Sequence, residues 1–232
     1  MSAITEGSAP GRFDLTMLHA VYGAFRRDTA RLAAAAGSDV DRAIPVPPPR
    51  DLWALFRFHW CAQHAAERRA LWTVMRGRVP AGGARGTVLD ESGTVLDEGG
   101  TVLDEMDERA VRLVPLLDTV DAALQHGDRI VLARCMPALR DAVHAHLDHK
   151  EAHVLPLIHE TLTPYEWATF DVEFRREVGV RGLGVFLSWL LDGAPETTTQ
   201  AVLHLMPPPV RLLHRTGWLP RHPRRAHRAA SL

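Results

Sequence analysis

Apolar residues recur at a spacing of three and four along most of this chain of 232 residues. This spacing constrains the fold more than any other feature, because residues three or four apart lie on one face of a helix. In the first such segment the apolar face consists of Leu15, Leu18, Val21, Tyr22, Phe25 and Leu32. No stretch alternates apolar and polar residues as a half-buried strand would. The pattern predicts an all-α protein.

Four segments carry this pattern, and several begin or end at residues that favour a helix boundary. Asp14 and Asp51 are suited to cap the first two helices, because a carboxylate accepts hydrogen bonds from the free amides of a first turn. Gly37 is suited to end the first. We predict helices over residues 14–36, 51 to 76 or 78, 103–125 and 128–162. With short links, they form an up-and-down four-helix bundle over residues 13–162.

The segments around this bundle differ from it in composition. Residues 1–12 are small and polar and predict a disordered lead-in. Residues 86–106 hold three near-identical heptads, GTVLDES, GTVLDEG and GTVLDEM, whose glycines predict an acidic loop that leads into the third helix. We predict a helical extension over residues 163–206 and a basic Pro/Arg tail over 207–232. The helical segments expected in the extension are 165–178, 182–191 and 198–206.

Charge and hydropathy exclude some classes of partner. The formal net charge is −1, so no global field favours nucleic acid or a membrane surface. The basic tail lacks the interleaved aromatic residues that base stacking needs, and we predict no nucleic-acid partner. The longest apolar run, residues 183–191, is too short to span a bilayer, and we expect no signal peptide. The sequence therefore predicts a cytoplasmic protein, and it leaves the oligomeric state open.

The fourth predicted helix carries a stripe of histidines. Within residues 141–158, one helical face holds His146, His149, Lys150 and His153. Histidine and carboxylate side chains one turn apart, aimed into a bundle, are how helical proteins build iron sites. The residue one turn after His146 is Lys150, the only lysine in the chain, and a protonated lysine cannot serve as an ordinary metal ligand. This stretch is therefore either a metal site or the remains of one.

Taken together, the four helices resemble the hemerythrin-like (HHE) family over residues 15–162. The resemblance lies in LTMLHAVYGAFRRD (15–28), FHWCAQHAAERRALW (58–72), VLDEMDERA (102–110) and HLDHKEAHVLPL (146–157). The remainder resembles the C-terminal extension of actinobacterial members of that family, including the run from Trp189 to Gly193. The resemblance implies a four-helix bundle that binds two iron ions through histidine and carboxylate side chains.

Three residues match the expected ligand positions of that family. They are His19 on the first helix, Glu67 on the second and His146 on the fourth. His64 is one residue away from the expected second-helix histidine. Glu151 is acidic but lies five residues after His146 instead of four. The resemblance makes these five residues the candidate metal ligands, and the register of the fourth helix stays open between four and five residues.

The other expected ligands are replaced. Gln63 stands in place of the second-helix histidine, Arg109 in place of a third-helix histidine, and Lys150 in place of the fourth-helix carboxylate. A buried Glu67 with neither metal nor cation beside it would be an uncompensated charge. We therefore predict a degenerate diiron site without catalysis, in which Arg109 and Lys150 form an ion-pair network with Glu67, with Glu108 or Glu151 as further partners, and salt bridges stand in for the metals.

Two alternatives compete with this prediction. In the first, His19, Glu67 and His146, joined by His64 or Glu151, still hold a metal ion, and the resemblance then implies non-heme iron. That protein would act on a small diatomic ligand, on peroxide or in iron handling. In the second alternative, the chain is a protein-interaction module. No GxSxG, Walker, GxGxxG or HExxH motif occurs, so an enzyme has the least support.

Overall fold

The computed structural model describes residues 13–37, 50–78 and 98–215. Every regular element in those ranges is a helix, which confirms the predicted all-α class. The α-helices are α1 (Thr16–Gly37), α2 (Arg50–Glu67), α3 (Thr73–Arg78), α4 (Glu98–His126), α5 (Arg129–His149), α6 (Leu155–Thr161), α7 (Pro164–Leu191), α8 (Glu196–Leu205) and α9 (Pro208–Arg215). The lead-in over 1–12, the first repeat copies over 86–97 and residues 216–232 lie outside the described residues.

Two π-helical segments each connect two of these α-helices into one continuous helix. Arg68–Trp72 connects α2 to α3, and Lys150–Val154 connects α5 to α6. In a π turn the amide bonds to the carbonyl five residues back, as the Leu155 amide does to the Lys150 carbonyl. The sequence pattern predicted one helix across each of these places, with Pro156 perturbing the late turns of the second, and it predicted neither π segment. The extra residue in each π turn changes which side chains face inward after it.

Two predicted helix starts, at Asp14 and Asp128, carry capping bonds, whereas Asp51, predicted to cap the second helix, lies inside α2. The Asp14 carboxylate accepts from the Thr16 amide at 2.9 Å, and the Asp128 carboxylate accepts from the Val131 amide at 3.0 Å. A capping box that we did not predict, formed by Thr163 and Glu166, begins α7. Short polar side chains thus satisfy the first-turn amides at these helix starts.

The helices bury one continuous apolar core. Helix α1 packs on α2 and α5, and α4 packs on α5, while α7 packs against α2 and the first π segment. An aromatic cluster fills the space between α1, α2 and α7, with ring centroids 5.1 to 5.7 Å apart. Its members are Phe25, Phe56, Trp60 and Trp189. Buried polar side chains of α1, α2, α5 and the second π segment lie within this core.

The structure differs from the sequence-based boundaries in two places, in α4 and α9, and agrees with them at a third, in α7. Helix α4 begins at Glu98, so the predicted acidic loop is helical from there onward, since Leu103 and Met106 are buried and anchor that turn in the core. Helix α9 covers part of the predicted tail, with Pro208 at its start, where a missing amide costs little. Gly179, at φ 70° and ψ 164°, divides α7 near the predicted break.

No helix in the part of the chain that the structure describes is long and apolar enough to cross a membrane.

Candidate functional site

Glu67 and Lys150 form an ion pair in the centre of the helices. The Lys150 Nζ lies 2.6 Å from the Glu67 Oε2, and each side chain is 1% exposed. Glu67 is the last residue of α2 before the first π segment, and Lys150 is the first residue of the second. Both partners therefore stand where the backbone changes its hydrogen-bonding pattern. The predicted contact between the only lysine and Glu67 is confirmed.

The rest of the Glu67 carboxylate is also engaged. The Gln63 amide donates to Oε1 at 3.0 Å, so each carboxylate oxygen has a donor. The Lys150 Nζ also lies 5.5 Å from the centre of the Tyr22 ring and 6.0 Å from that of Trp72. Aromatic faces at this distance favour a cation. The ammonium group thus sits between one carboxylate and two rings.

Proton affinities inside this site reflect its burial and its charges. Burial raises the pKa of Glu67. The positive charge of Lys150 and the hydrogen bonds that Lys150 and Gln63 donate to Glu67 outweigh this and bring the pKa below its usual value. Burial lowers the pKa of Lys150, and Glu67 opposes this. Burial, with the Glu67 charge second, holds the pKa of Tyr22 well above its usual value. The site therefore contains a charged Glu67–Lys150 pair next to a neutral phenol.

His64 and His146 form a neutral histidine pair beside the ion pair. The His64 Nδ1 lies 2.9 Å from the Trp60 carbonyl oxygen, which can only accept, so this nitrogen carries the proton. The His64 Nε2 must then accept from the His146 Nε2, 3.2 Å away. Burial and the Lys150 charge lower the pKa of both rings, that of His64 to about 4. This assignment leaves the buried His146 Nδ1 as a lone pair without a partner.

Arg109 does not take the role that we predicted for it. No ion pair joins Arg109 to Glu67, although both residues are described, and the Arg109 Nε is buried without a hydrogen-bond partner there. Its positive charge acts on His146 and His149 instead, where it adds to burial in lowering both pKa values. The predicted contact of Arg109 with Glu67 is therefore wrong. Of the two predicted cations, only Lys150 contacts the Glu67 carboxylate.

His19 and Glu151 lie together outside the buried site. The His19 Nδ1 is 3.4 Å from the Glu151 Oε1, and the His19 side chain is 53% exposed. Arg26 holds Glu151 through two bonds of 3.1 and 2.7 Å and also reaches Asp148 at 2.6 Å. The residue four positions after His146 therefore points inward, and the one five positions after it points to the surface.

The five candidate ligands thus form two separate groups. One contains the buried Glu67 and His146 with the half-buried His64, and the other is the surface pair of His19 and Glu151. Over residues 13–37, 50–78 and 98–215, no three His, Cys, Asp or Glu side chains are placed to hold one metal ion. An ammonium group occupies the free side of Glu67. The described residues do not fit the diiron centre that the resemblance implies.

A second group of buried polar residues connects α1, α2 and α7. The Trp189 indole donates to the Asp28 Oδ2 at 2.6 Å, and His59 stacks on Trp189. Burial raises the pKa of Asp28 to about 6 and lowers that of His59 to about 3. Sequence reasoning missed Asp28, Tyr22 and Arg26 as parts of polar contacts. A signal was present for Asp28, since it falls one turn after the apolar Phe25 and Ala24.

The chain matches no protein-family model, no curated protein and no solved structure. Its function is therefore inferred from its own residues.

Proposed function

We propose that this chain is a hemerythrin-like up-and-down four-helix bundle in which an internal ion pair stands where that family holds its metal ions. The domain functions without a metal ion and without catalysing a reaction, and its role is to bind another molecule. The observation that carries this proposal is the contact of 2.6 Å between the Lys150 Nζ and the Glu67 Oε2, in a site where both side chains are 1% exposed.

The position of Lys150 supports the replacement of a metal by a cation. It lies one turn after His146, where the resemblance places a carboxylate, and its ammonium approaches the one carboxylate retained on α2. A buried carboxylate needs a compensating positive charge, and a lysine supplies it as a metal ion would. The same ammonium repels an incoming divalent cation.

The closure of the site supports a role outside catalysis. Gln63, Glu67, His146 and Lys150 are each at most 2% exposed. Both oxygens of Glu67 have donors, and the two histidine rings bond to each other. A general acid or base must reach a proton of the substrate. In this site the polar groups face each other, so they stabilise the helices.

The test is the metal content of the full chain after expression in iron-supplemented medium. We expect no stoichiometric iron and no oxo-bridge absorption in the optical spectrum. The double variant Lys150→Glu with Arg109→His restores the carboxylate and histidine that the resemblance implies, and we expect it to gain iron. Arg112→Glu is the matched control, because Arg112 is exposed on α4 and pairs only with Glu108 among the described residues.

Two results would overturn the proposal. Close to two iron ions per unmodified chain, with oxo-bridge absorption, would show a working diiron site. Equal iron uptake by the double variant and by Arg112→Glu would show that Lys150 and Arg109 do not exclude metal.

A further inference from the structure

A cavity of about 600 Å³ lies between α1, the link that follows α7 and the first turns of α8, outside the ion-pair site. Such a volume is typical of sites for small organic molecules. Most of its wall is apolar and small, with Ala20, Gly23, Ala194, Pro195 and Ala201. Its polar side chains are those of Thr16, His19, Arg26, Arg27, Thr197 and Thr198. No carboxylate is among the lining residues, so the charged groups of the wall have one sign.

Arg27 is the cation in this wall whose carboxylate partner, Asp28, lies beyond hydrogen-bond distance. Its guanidinium donates to the carbonyl oxygens of Trp189 at 2.9 Å and of Leu190 at 3.4 Å. The nearest carboxylate oxygen is the Asp28 Oδ1, 3.8 Å from Nε, which is beyond hydrogen-bond distance. Burial lowers the pKa of Arg27, because burial disfavours the charged form of the guanidinium. Arg26 differs, because Glu151 and Asp148 already neutralise it.

Gly23 is an exposed residue of the cavity wall. It lies in the middle of α1, where glycine is less favourable than alanine. A Cβ at this position would meet nothing within 4 Å, so no neighbouring atom requires a glycine here. The missing side chain leaves room in the cavity instead. A backbone without a side chain, facing an open apolar wall, suits a ligand that packs against the helix.

We propose that this cavity binds a small organic carboxylate, with its anionic group near Arg27 and its apolar body against Ala20 and Gly23. A single guanidinium without a carboxylate at hydrogen-bond distance matches a single negative charge. The mostly apolar wall favours a ligand with a hydrocarbon body over an inorganic ion. This inference goes beyond the proposed function and does not depend on it, because the cavity and the buried ion pair share no residue.

The test uses hexanoate, hexanol and hexylamine as probes of equal chain length, titrated calorimetrically into the full chain at neutral pH. We expect saturable binding of hexanoate. Hexanol should bind roughly ten- to hundredfold more weakly, because it cannot form a charge-assisted hydrogen bond with a guanidinium. Hexylamine should show no saturation at the same concentrations. Failure of hexanoate to bind, or equal binding of hexanol, would overturn the proposal.

A cavity-filling variant locates the binding. The Cβ of Gly23→Leu meets no neighbour and its side chain adds bulk to the cavity wall, so we expect the melting temperature to stay the same or rise and hexanoate binding to fall about tenfold or more. Gly77→Leu is the matched control, because a Cβ at this helical glycine also meets nothing and Gly77 does not line the cavity. Unchanged hexanoate binding by Gly23→Leu would place the ligand elsewhere and overturn the assignment.

The metal-content test of the proposed function has a separate readout. Iron in the unmodified chain would refute the ion-pair proposal and leave hexanoate binding untouched, and loss of hexanoate binding in Gly23→Leu says nothing about iron.

Discussion

His59 and Trp189 stack with their ring centroids 4.1 Å apart and their planes 24° apart, although neither nitrogen of His59 has a hydrogen-bond partner among the described residues. The histidine is fully buried between α2 and α7 and touches Phe186 edge-on. It therefore packs as an aromatic ring and not as a polar group. An unpartnered buried nitrogen costs about 1–3 kcal/mol.

Replacing His59 by phenylalanine should stabilise the fold. His59→Phe keeps a ring against Trp189 and removes two unpartnered nitrogens, so we expect the free energy of unfolding at neutral pH to rise by about 1–2 kcal/mol. The gain should be larger by about 2 kcal/mol near pH 5, since the unfolded wild-type chain takes up a proton on His59 there and the folded chain does not. Urea unfolding of the wild type and of His59→Phe at the two pH values measures the gain at neutral pH and the larger gain at about pH 5. A loss of stability at both would contradict the aromatic role of His59.

The fold should lose stability on mild acidification. Burial lowers the pKa of His59 to about 3 and that of His64 to about 4. Their folded pKa values lie below the unfolded value of about 6.5, so the unfolded chain binds more protons below that pH. The stabilisation is complete above about pH 6.5 and is lost as the pH falls toward the folded pKa values. Burial raises the pKa of Asp28 to about 6, so this one group binds a proton more readily in the folded chain and opposes the loss of stability on acidification.

Urea unfolding from about pH 7 to about pH 4.5 tests this dependence. We expect the free energy of unfolding to fall, with a slope that corresponds to roughly one to two protons. His59→Phe should reduce the slope by about one proton. Rising stability on acidification would show that Asp28 dominates.

Breaking the buried ion pair should cost far more than breaking a surface pair. Lys150→Met leaves the Glu67 carboxylate buried without a cation, and we expect a loss of about 3–5 kcal/mol in the free energy of unfolding. The double variant Lys150→Met with Glu67→Gln removes both charges and should recover most of it. Arg175→Met is the matched control, because Arg175 forms an exposed pair with Asp171 and should cost less than about 1 kcal/mol.

A double-mutant cycle in urea gives the coupling between Lys150 and Glu67. A cost for Lys150→Met as small as that for Arg175→Met would contradict the buried charge pair.

Removing the indole hydrogen bond should raise the proton affinity of Asp28. Trp189→Phe deletes the donor that lies 2.6 Å from the Asp28 Oδ2. Burial raises the pKa of Asp28 and this hydrogen bond lowers it, so the variant should have an Asp28 pKa above about 6. We also expect a loss of about 1–3 kcal/mol, since the carboxylate keeps only a distant Arg27.

Carbon-13 NMR titration of the aspartate carboxyl groups measures this pKa in the variant. Trp167→Phe is the control, because the half-buried Trp167 stacks on Phe13 and its indole donates no hydrogen bond among the described residues. An unchanged Asp28 pKa in Trp189→Phe would contradict the role of the indole.

Local rules account for what could be predicted. The helical spacing of apolar residues and the carboxylates Asp14 and Asp128 place helix starts correctly, because capping depends on neighbours in the chain. The π segments could not be predicted, because an extra residue in a helical turn is retained only when tertiary packing compensates it. Arg109 was misplaced for a related reason: sharing a helical face does not decide whether a long side chain reaches Glu67, and Arg109 acts on His146 only through its charge.

The sequence by itself determined that the histidine stripe of the fourth helix carries the only lysine of the chain. It could not decide between Lys150 and Glu151, since consecutive residues diverge by about 100° and either could face inward. The tertiary structure decided it. Glu67 on α2 is within 2.6 Å of the Lys150 ammonium, and Arg26 on α1 holds Glu151 at the surface. A buried charge stays only where another helix supplies its partner, and that partner is known only when the helices are packed.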